Sequence, residues 1–533
     1  MLFNRVFDDI CCGWEKRMKV SHAFRDSRAE REIGNEVPLA FCIPNKIGGM
    51  LLLDAQKDTT KFFARVKGRN YSIFSNISAE GKINSVSNRL HTIEITREGH
   101  EYGISVPYYT NSLLLNLKKD EPVELKFSIK EMGDDSPRDN SISEKDGRIL
   151  VTSSGNSGMI FAAIQGENLS YSHDLKKGKD EFTVCAYSGK ISIVVSGDEN
   201  EALKLANHII ANQENILKMQ DNYLGTAKEF SDQEAGIAYA AVLNLLEESM
   251  GGDEETIPAA IAKYEFIGEG EFEKAKKGLL YELARQKELA RHGQIHFEEA
   301  GWTVILLGRL LNRLCQDRKL YSYLSAEMVK AVSADINEIS DAMSREAEAE
   351  LDRKVMLLAV NDLVHALTRS PESKARKEKL LEAVREGINS GVSDIQNKGL
   401  SRDRVYSIFK AHYIYPVLHT NDEWREIFDS VLEAMQYSFQ TLQSKMQPGK
   451  KEEIELFGIM NLAAAALNRT DAEHYEKTVN AIMRDAVTDA LYKGVVGRPT
   501  SSFEHDPTDK EWIFSNRHAL NGAFFLEMLR ECA

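Results

Sequence analysis

The residues of this chain best suited to chemistry sit near its C-terminus, in Glu504–His505–Asp506–Pro507–Thr508–Asp509, a carboxylate-bearing loop that runs into an apolar stripe of Ala519, Phe524, Phe525 and Leu529. Carboxylates in a loop held by an apolar helix can move protons, provided a second carboxylate faces them to act as acid where the first acts as base. Ser344–Arg345–Glu346–Ala347–Glu348–Ala349–Glu350–Leu351–Asp352 is rich in carboxylates. Glu346, Glu350 and Lys354 at four-residue spacing also describe a solvated helix face with an ion pair, and Glu504 also fits a capping carboxylate. A third cluster, His292–Gly293–Gln294–Ile295–His296–Phe297–Glu298–Glu299–Ala300–Gly301–Trp302, leads into the apolar helix Val304–Leu314. There Glu298 and Glu299 could accept hydroxyl hydrogen bonds, and Trp302 could stack on the apolar face of a ligand. They could equally be first-turn acids favoured by the helix dipole and a core anchor.

Other chemistries find less support. His292 and His296 are four apart, but a glycine intervenes and the HExxH order is missing, so no metal or other cofactor is expected. Gly268–Glu269–Gly270 lacks the glycine spacing of a phosphate loop, and its acid would repel phosphate. Gly155–Asn156–Ser157–Gly158 lies among strands and reads as a hairpin turn, not a nucleophile elbow.

The elements that must position these residues fall into two grammars. From about 37 to 199 the apolar residues come in short bursts with turn chemistry between them, as in His91–Thr92–Ile93–Glu94–Ile95–Thr96 followed by Arg97–Glu98–Gly99–His100. About ten strands are expected there, and frequent turns favour an antiparallel β-sandwich. Near Asp198 the period changes to 3.6 residues. Helices are expected at 231–250, 255–266, 271–289, 298–316, 325–342, 346–368, 373–390, 402–415, 421–445, 451–468, 471–492 and 513–530, with Thr470–Asp471 as an N-cap-like pair between two of them. Twelve helices in six hairpins would close an (α/α)6 toroid. The expected domains are a β-sandwich at 1–198, a helical linker at 199–230 and the toroid at 231–533.

Composition bounds the partners. The 533 residues exceed one ordinary core. A formal charge of −15 disfavours nucleic acid and anionic lipid, so a neutral or cationic ligand is expected. The six cysteines, Cys11, Cys12, Cys42, Cys185, Cys315 and Cys532, show no metal or disulfide spacing, the N-terminus lacks the apolar run of a signal peptide, and no stretch approaches a membrane span. A cytoplasmic address is the expectation; the oligomeric state is not legible.

The C-terminal residues also carry a resemblance. Glu504 to Asp509, followed by Ile513–Phe514–Ser515–Asn516–Arg517–His518–Ala519, resembles the region around the catalytic base of the glucoamylase and glycogen-debranching (amylo-α-1,6-glucosidase) type of glycosidases. A β-sandwich leading through a helix into twelve helices is similar to the bacterial and archaeal members of that group. The residue-level resemblance spans about 25 positions, the architectural one nearly the whole chain. It implies hydrolysis of an α-glucosidic bond of an oligo- or polysaccharide by inversion, with Glu504 as base, an acid between the fifth and sixth helices, hence Glu346, and Asp506, Arg517, His518, Glu298, Glu299 and Trp302 as substrate contacts. The Trp-x-Arg-Asp type of motif expected at the first hairpin is missing, and only four tryptophans are present. Both departures favour the alternative of a non-catalytic carbohydrate-binding or scaffold protein on the same fold.

Overall fold

A computed structural model describes the chain outside residues 1–16, 35–36, 38, 119–121, 135, 137, 146, 167–168, 173–181, 187–188, 225–229, 249–271, 317–324, 347–349, 399–401, 444–450 and 498–515. The expected helix 255–266 and the loop with Glu504 and Asp506 therefore lie outside the described residues. The chain divides into two compact units, Met1–Gly225 with Tyr492–Val496, and Thr226–Leu491 with Gly497–Ala533.

The first unit contains two sheets. Seventeen described strands lie between Arg17 and Ser196, more than the ten expected, and they begin twenty residues earlier than the alternating pattern suggested. In the added hairpin, β1 (Arg17–Phe24) and β2 (Ser27–Gly34), the buried positions are Met18, Val20, His22, Ala29 and Ile33, so a histidine and a small alanine interrupt the apolar face. Among the described strands, pairing is antiparallel with two exceptions. β1 runs parallel to β7 (Ile83–Asn88), and Gly494–Val495, returning from the far end of the chain, runs parallel to β3 (Leu39–Pro44). A buried amide stitches the loops at one end of the unit. The Asn45 oxygen accepts from the N–H groups of Ile47 (3.0 Å) and Gly49 (2.7 Å), while its nitrogen donates to the Thr110 carbonyl (3.0 Å) and to Asn111 Oδ1 (3.0 Å). All of its hydrogen-bonding capacity is used, as burial demands.

Two helices follow the strands, α1 (Glu199–Ala211) and α2 (Gln213–Leu224), and they group with the sheets. Asp198 caps α1 by accepting from the N–H of Glu201 at 2.8 Å. Leu203 and Ile209 then bury against Leu114, Phe161 and Val194, each contributing about 1.5–3 kcal/mol of apolar burial.

The second unit is helical: α3 (Gln233–Glu248), α4 (Phe272–Arg291), α5 (Phe297–Gln316), α6 (Ala326–Glu346), α7 (Leu351–Thr368), α8 (Pro371–Lys398), α9 (Arg402–Ile414), α10 (Asn421–Gln443), α11 (Lys451–Tyr492) and α12 (Asn516–Cys532). α11 comprises two helices meeting at Asp471, whose extended backbone (φ −158°, ψ 89°) and Oδ1, accepting from the N–H of His474 at 3.0 Å, make it the expected N-cap. Helices alternate between two layers. α5 packs on α7 and α7 on α9, while α4 packs on α6 and α8 on α10. Sequence sets the layer. α5 is buried nearly all round, as an inner helix must be, whereas α8 buries one stripe including Val384, Ile388 and Ile395. Gly301 and Gly308 let α5 lie close on α7: an added Cβ would meet Met356 at 2.6 Å and Leu363 at 3.0 Å. The unit is the expected double-layered toroid. Among the described residues no helix is long and apolar enough to cross a membrane.

Candidate active site at the inner-helix N-termini

The first turns of α5 and α7 meet the second half of α9. α4 turns into α5 through Gly293, whose φ of 67° suits glycine, and the N–H of Gln294 closes that turn on the Leu289 carbonyl at 2.9 Å. This places Glu298 in the first turn of α5, Asp352 in the first turn of α7, and Tyr406 and Lys410 on α9.

Lys410 joins them. Its side chain is fully buried, and Nζ donates to Glu298 Oε1 at 2.8 Å and to Asp352 Oδ2 at 2.9 Å, with Oδ1 also at 2.9 Å. The indole N–H of Trp302 donates to the same Glu298 oxygen at 3.1 Å. The rings of Trp302 and Tyr406 lie 5.6 and 5.4 Å from the ammonium, within cation–π range. Burial disfavours the Lys410 charge, but Tyr406, Asp352 and Glu298 more than offset it, so its pKa is raised. Burial also pushes the Asp352 carboxyl up against the downward pull of Lys410, and Glu298 adds to the rise. Two carboxylates thus share one ammonium. Glu298 is half exposed and Asp352 less so, so the cluster opens to solvent on the Glu298 side.

Below the cluster the ring is filled. Trp302, Tyr413 and Phe524 form a triangle with centroids 5.5–6.5 Å apart. Arg309 donates to the Tyr413 hydroxyl (3.1 Å) and carbonyl (3.0 Å), and Arg469 pairs with Glu527 and Glu531.

Of the sequence candidates, Glu298 and Trp302 meet at Lys410. Trp302 is 2% exposed, a core anchor in this structure and not an open stacking surface. Glu299 turns to the outer layer, accepting from Arg285 at 2.7 Å and Gln286 at 3.2 Å. Glu350 precedes α7 as an exposed residue 3.7 Å from Arg353. Glu346 ends α6, and Arg517 and His518 lie in the first turn of α12; their side chains are outside the described residues. Lys410, Tyr406 and Asp352 were missed. The available signal was a lysine inside the run Ile408–Phe409–Lys410–Ala411–His412–Tyr413–Ile414, where a solvated face would break the apolar pattern.

A sandwich of two sheets in a chain whose helices build an (α/α)6 toroid is the glucoamylase-like fold. Among solved structures the chain is similar to a bacterial glucoamylase complexed with acarbose, covering 92% of this chain and 94% of that one at 9% identity and a TM-score of 0.59. A kojibiose phosphorylase assignment from the human microbiome aligns over 91% of this chain and 85% of its own at 9% identity, with a TM-score of 0.40. No family model and no curated protein matches the sequence. At this identity the likeness is one of fold.

Proposed function

We propose that this chain acts on α-glucosidic linkages of an oligo- or polysaccharide, as a glycoside hydrolase working from the inner-helix end of its toroid. The observation that carries the reading is the convergence of Glu298 and Asp352 on Lys410, with aromatic rings beside them. Carboxylates and aromatic faces are the groups that hydroxyl-rich, weakly apolar sugar rings require. Hydrolysis by inversion then needs a base on the water and an acid on the leaving oxygen, and Glu504 and Glu346 are the proposed pair. Asp506, Arg517 and His518 would contribute substrate contacts. The proposed setting is cytoplasmic, in keeping with free thiols at Cys42, Cys185, Cys315 and Cys532.

A second reading, carbohydrate binding without cleavage, is favoured by one observation. Glu298 and Asp352 touch the same ammonium at 2.8 and 2.9 Å, so their contacting oxygens are closer together than the about 6.5–9.5 Å that an inverting pair keeps for its water. That pair is a clamp on Lys410, and cleavage rests on carboxylates other than these two. Reducing-sugar release from maltooligosaccharides, isomaltooligosaccharides, glycogen and trehalose tests both readings, with Glu504→Gln alongside. The expected result is release that Glu504→Gln abolishes. Undiminished release in that variant removes Glu504 as base; binding without release on any glycan selects the second reading.

A further inference from the structure

Resting on the reading of this ring end as a carbohydrate site, we propose that Lys410 is a positioning residue that orients Glu298 toward the ligand. Lys410 is fully buried, so it has no surface of its own to offer a sugar. Its whole effect passes through its partners. Glu298 Oε1 accepts from both Lys410 Nζ (2.8 Å) and Trp302 Nε1 (3.1 Å), two donors on one oxygen. The carboxylate is thereby pinned by one atom, and on this half-exposed side chain Oε2 is the acceptor left for a ligand hydroxyl. Asp352 holds the other side of the ammonium at 2.9 Å and keeps Lys410 from following Glu298 outward. Fixing an acceptor before the ligand arrives lowers the ordering cost of binding.

The arrangement makes a coupling prediction that a merely structural lysine does not. Isothermal titration with acarbose as the probe compares wild type with Glu298→Gln, Lys410→Met and the double variant. Glu298→Gln is expected to weaken affinity about tenfold, the effect of one charge-assisted hydrogen bond. Lys410→Met should lose a similar factor without touching the ligand, and the double variant should bind no more weakly than either single one. Trp302→Phe keeps most of the packing and removes only the second donor, so its smaller loss, absorbed when combined with Glu298→Gln, carries the test if Lys410→Met does not fold. Wild type that binds no acarbose sinks the functional reading and this proposal with it. Wild type that binds, with affinity unchanged in Lys410→Met and Trp302→Phe, or with losses that add to that of Glu298→Gln, overturns the positioning role and leaves the site standing.

Discussion

Removing the Lys410 ammonium should reveal how the ring end is held together. In Lys410→Met the carboxylates of Glu298 and Asp352 keep their places in the first turns of α5 and α7 but lose the cation they share. Breaking a buried ion pair from one side costs about 3–5 kcal/mol, because the remaining charge has been taken out of water without compensation. Glu298 is half exposed and can be rehydrated, whereas Asp352 is mostly buried, so the expected loss falls at the low end, about 3 kcal/mol. For a unit of this size that is a fall of about 6 °C in the transition of the helical unit, followed by calorimetry. The loss should depend on pH. The folded-state pKa of Asp352 is already raised, and a raised group favours the fold below its unfolded pKa and loses that contribution as pH rises through the folded value. Without Lys410 the rise is larger, so the deficit should be widest near neutrality and narrow toward about pH 4. The triple variant Lys410→Met/Glu298→Gln/Asp352→Asn, which removes all three charges, should recover most of the lost stability. A triple variant as unstable as Lys410→Met, or a deficit independent of pH, would refute the account of a charge clamp and leave only a packing defect.

Two further outcomes are expected. Gly497, at φ +81°, donates its N–H to the Ala490 carbonyl at 2.9 Å, and an added Cβ would stand 2.6 Å from the Ala241 carbonyl oxygen. Gly497→Ala should therefore cost about 3 kcal/mol in thermal or denaturant unfolding. His412 is buried between Trp424 and Phe428, and burial, with Arg469 as a lesser cause, pushes its pKa down to about 3. A depressed histidine stabilises the fold above its unfolded pKa, about 6.5, and loses that contribution as pH falls toward about 3, at up to about 1.4 kcal/mol per pH unit. In denaturant melts across that range, His412→Phe should show a shallower acid slope; an unchanged slope would assign it to other groups.

The helical half was legible because inner and outer helices both obey a 3.6-residue period over long stretches. α5 was expected at 298–316 and runs Phe297–Gln316, and the break before Asp471 followed from its capping chemistry. The sheet unit was harder. β1 and β2 alternate, but their buried positions include a histidine and an alanine, so a hydrophobicity pattern passes over them. The site was half legible. Glu298 stood out as an acid opening an apolar helix, but its meaning comes from Lys410, which follows it by 112 positions, and from Asp352, 58 positions before that lysine. No local pattern links residues so far apart. The expectation that Trp302 could be an open platform met a ring enclosed by Tyr413 and Lys410 of α9 and Phe524 of α12.

The short strand Gly494–Val495 bears on how the chain is made. It pairs in parallel with Leu39 and Ala40 on β3, and the N–H of Val496 donates to the Ala40 carbonyl at 2.9 Å, so one margin of the eight-stranded sheet is completed by residues about 450 positions downstream. During synthesis that margin stays uncovered until Gly494 and Val495 have emerged, presenting an apolar strand, Leu39–Pro44, with free pairing groups. A nascent or truncated chain ending before residue 494 would carry the same open margin, inviting association with a second copy.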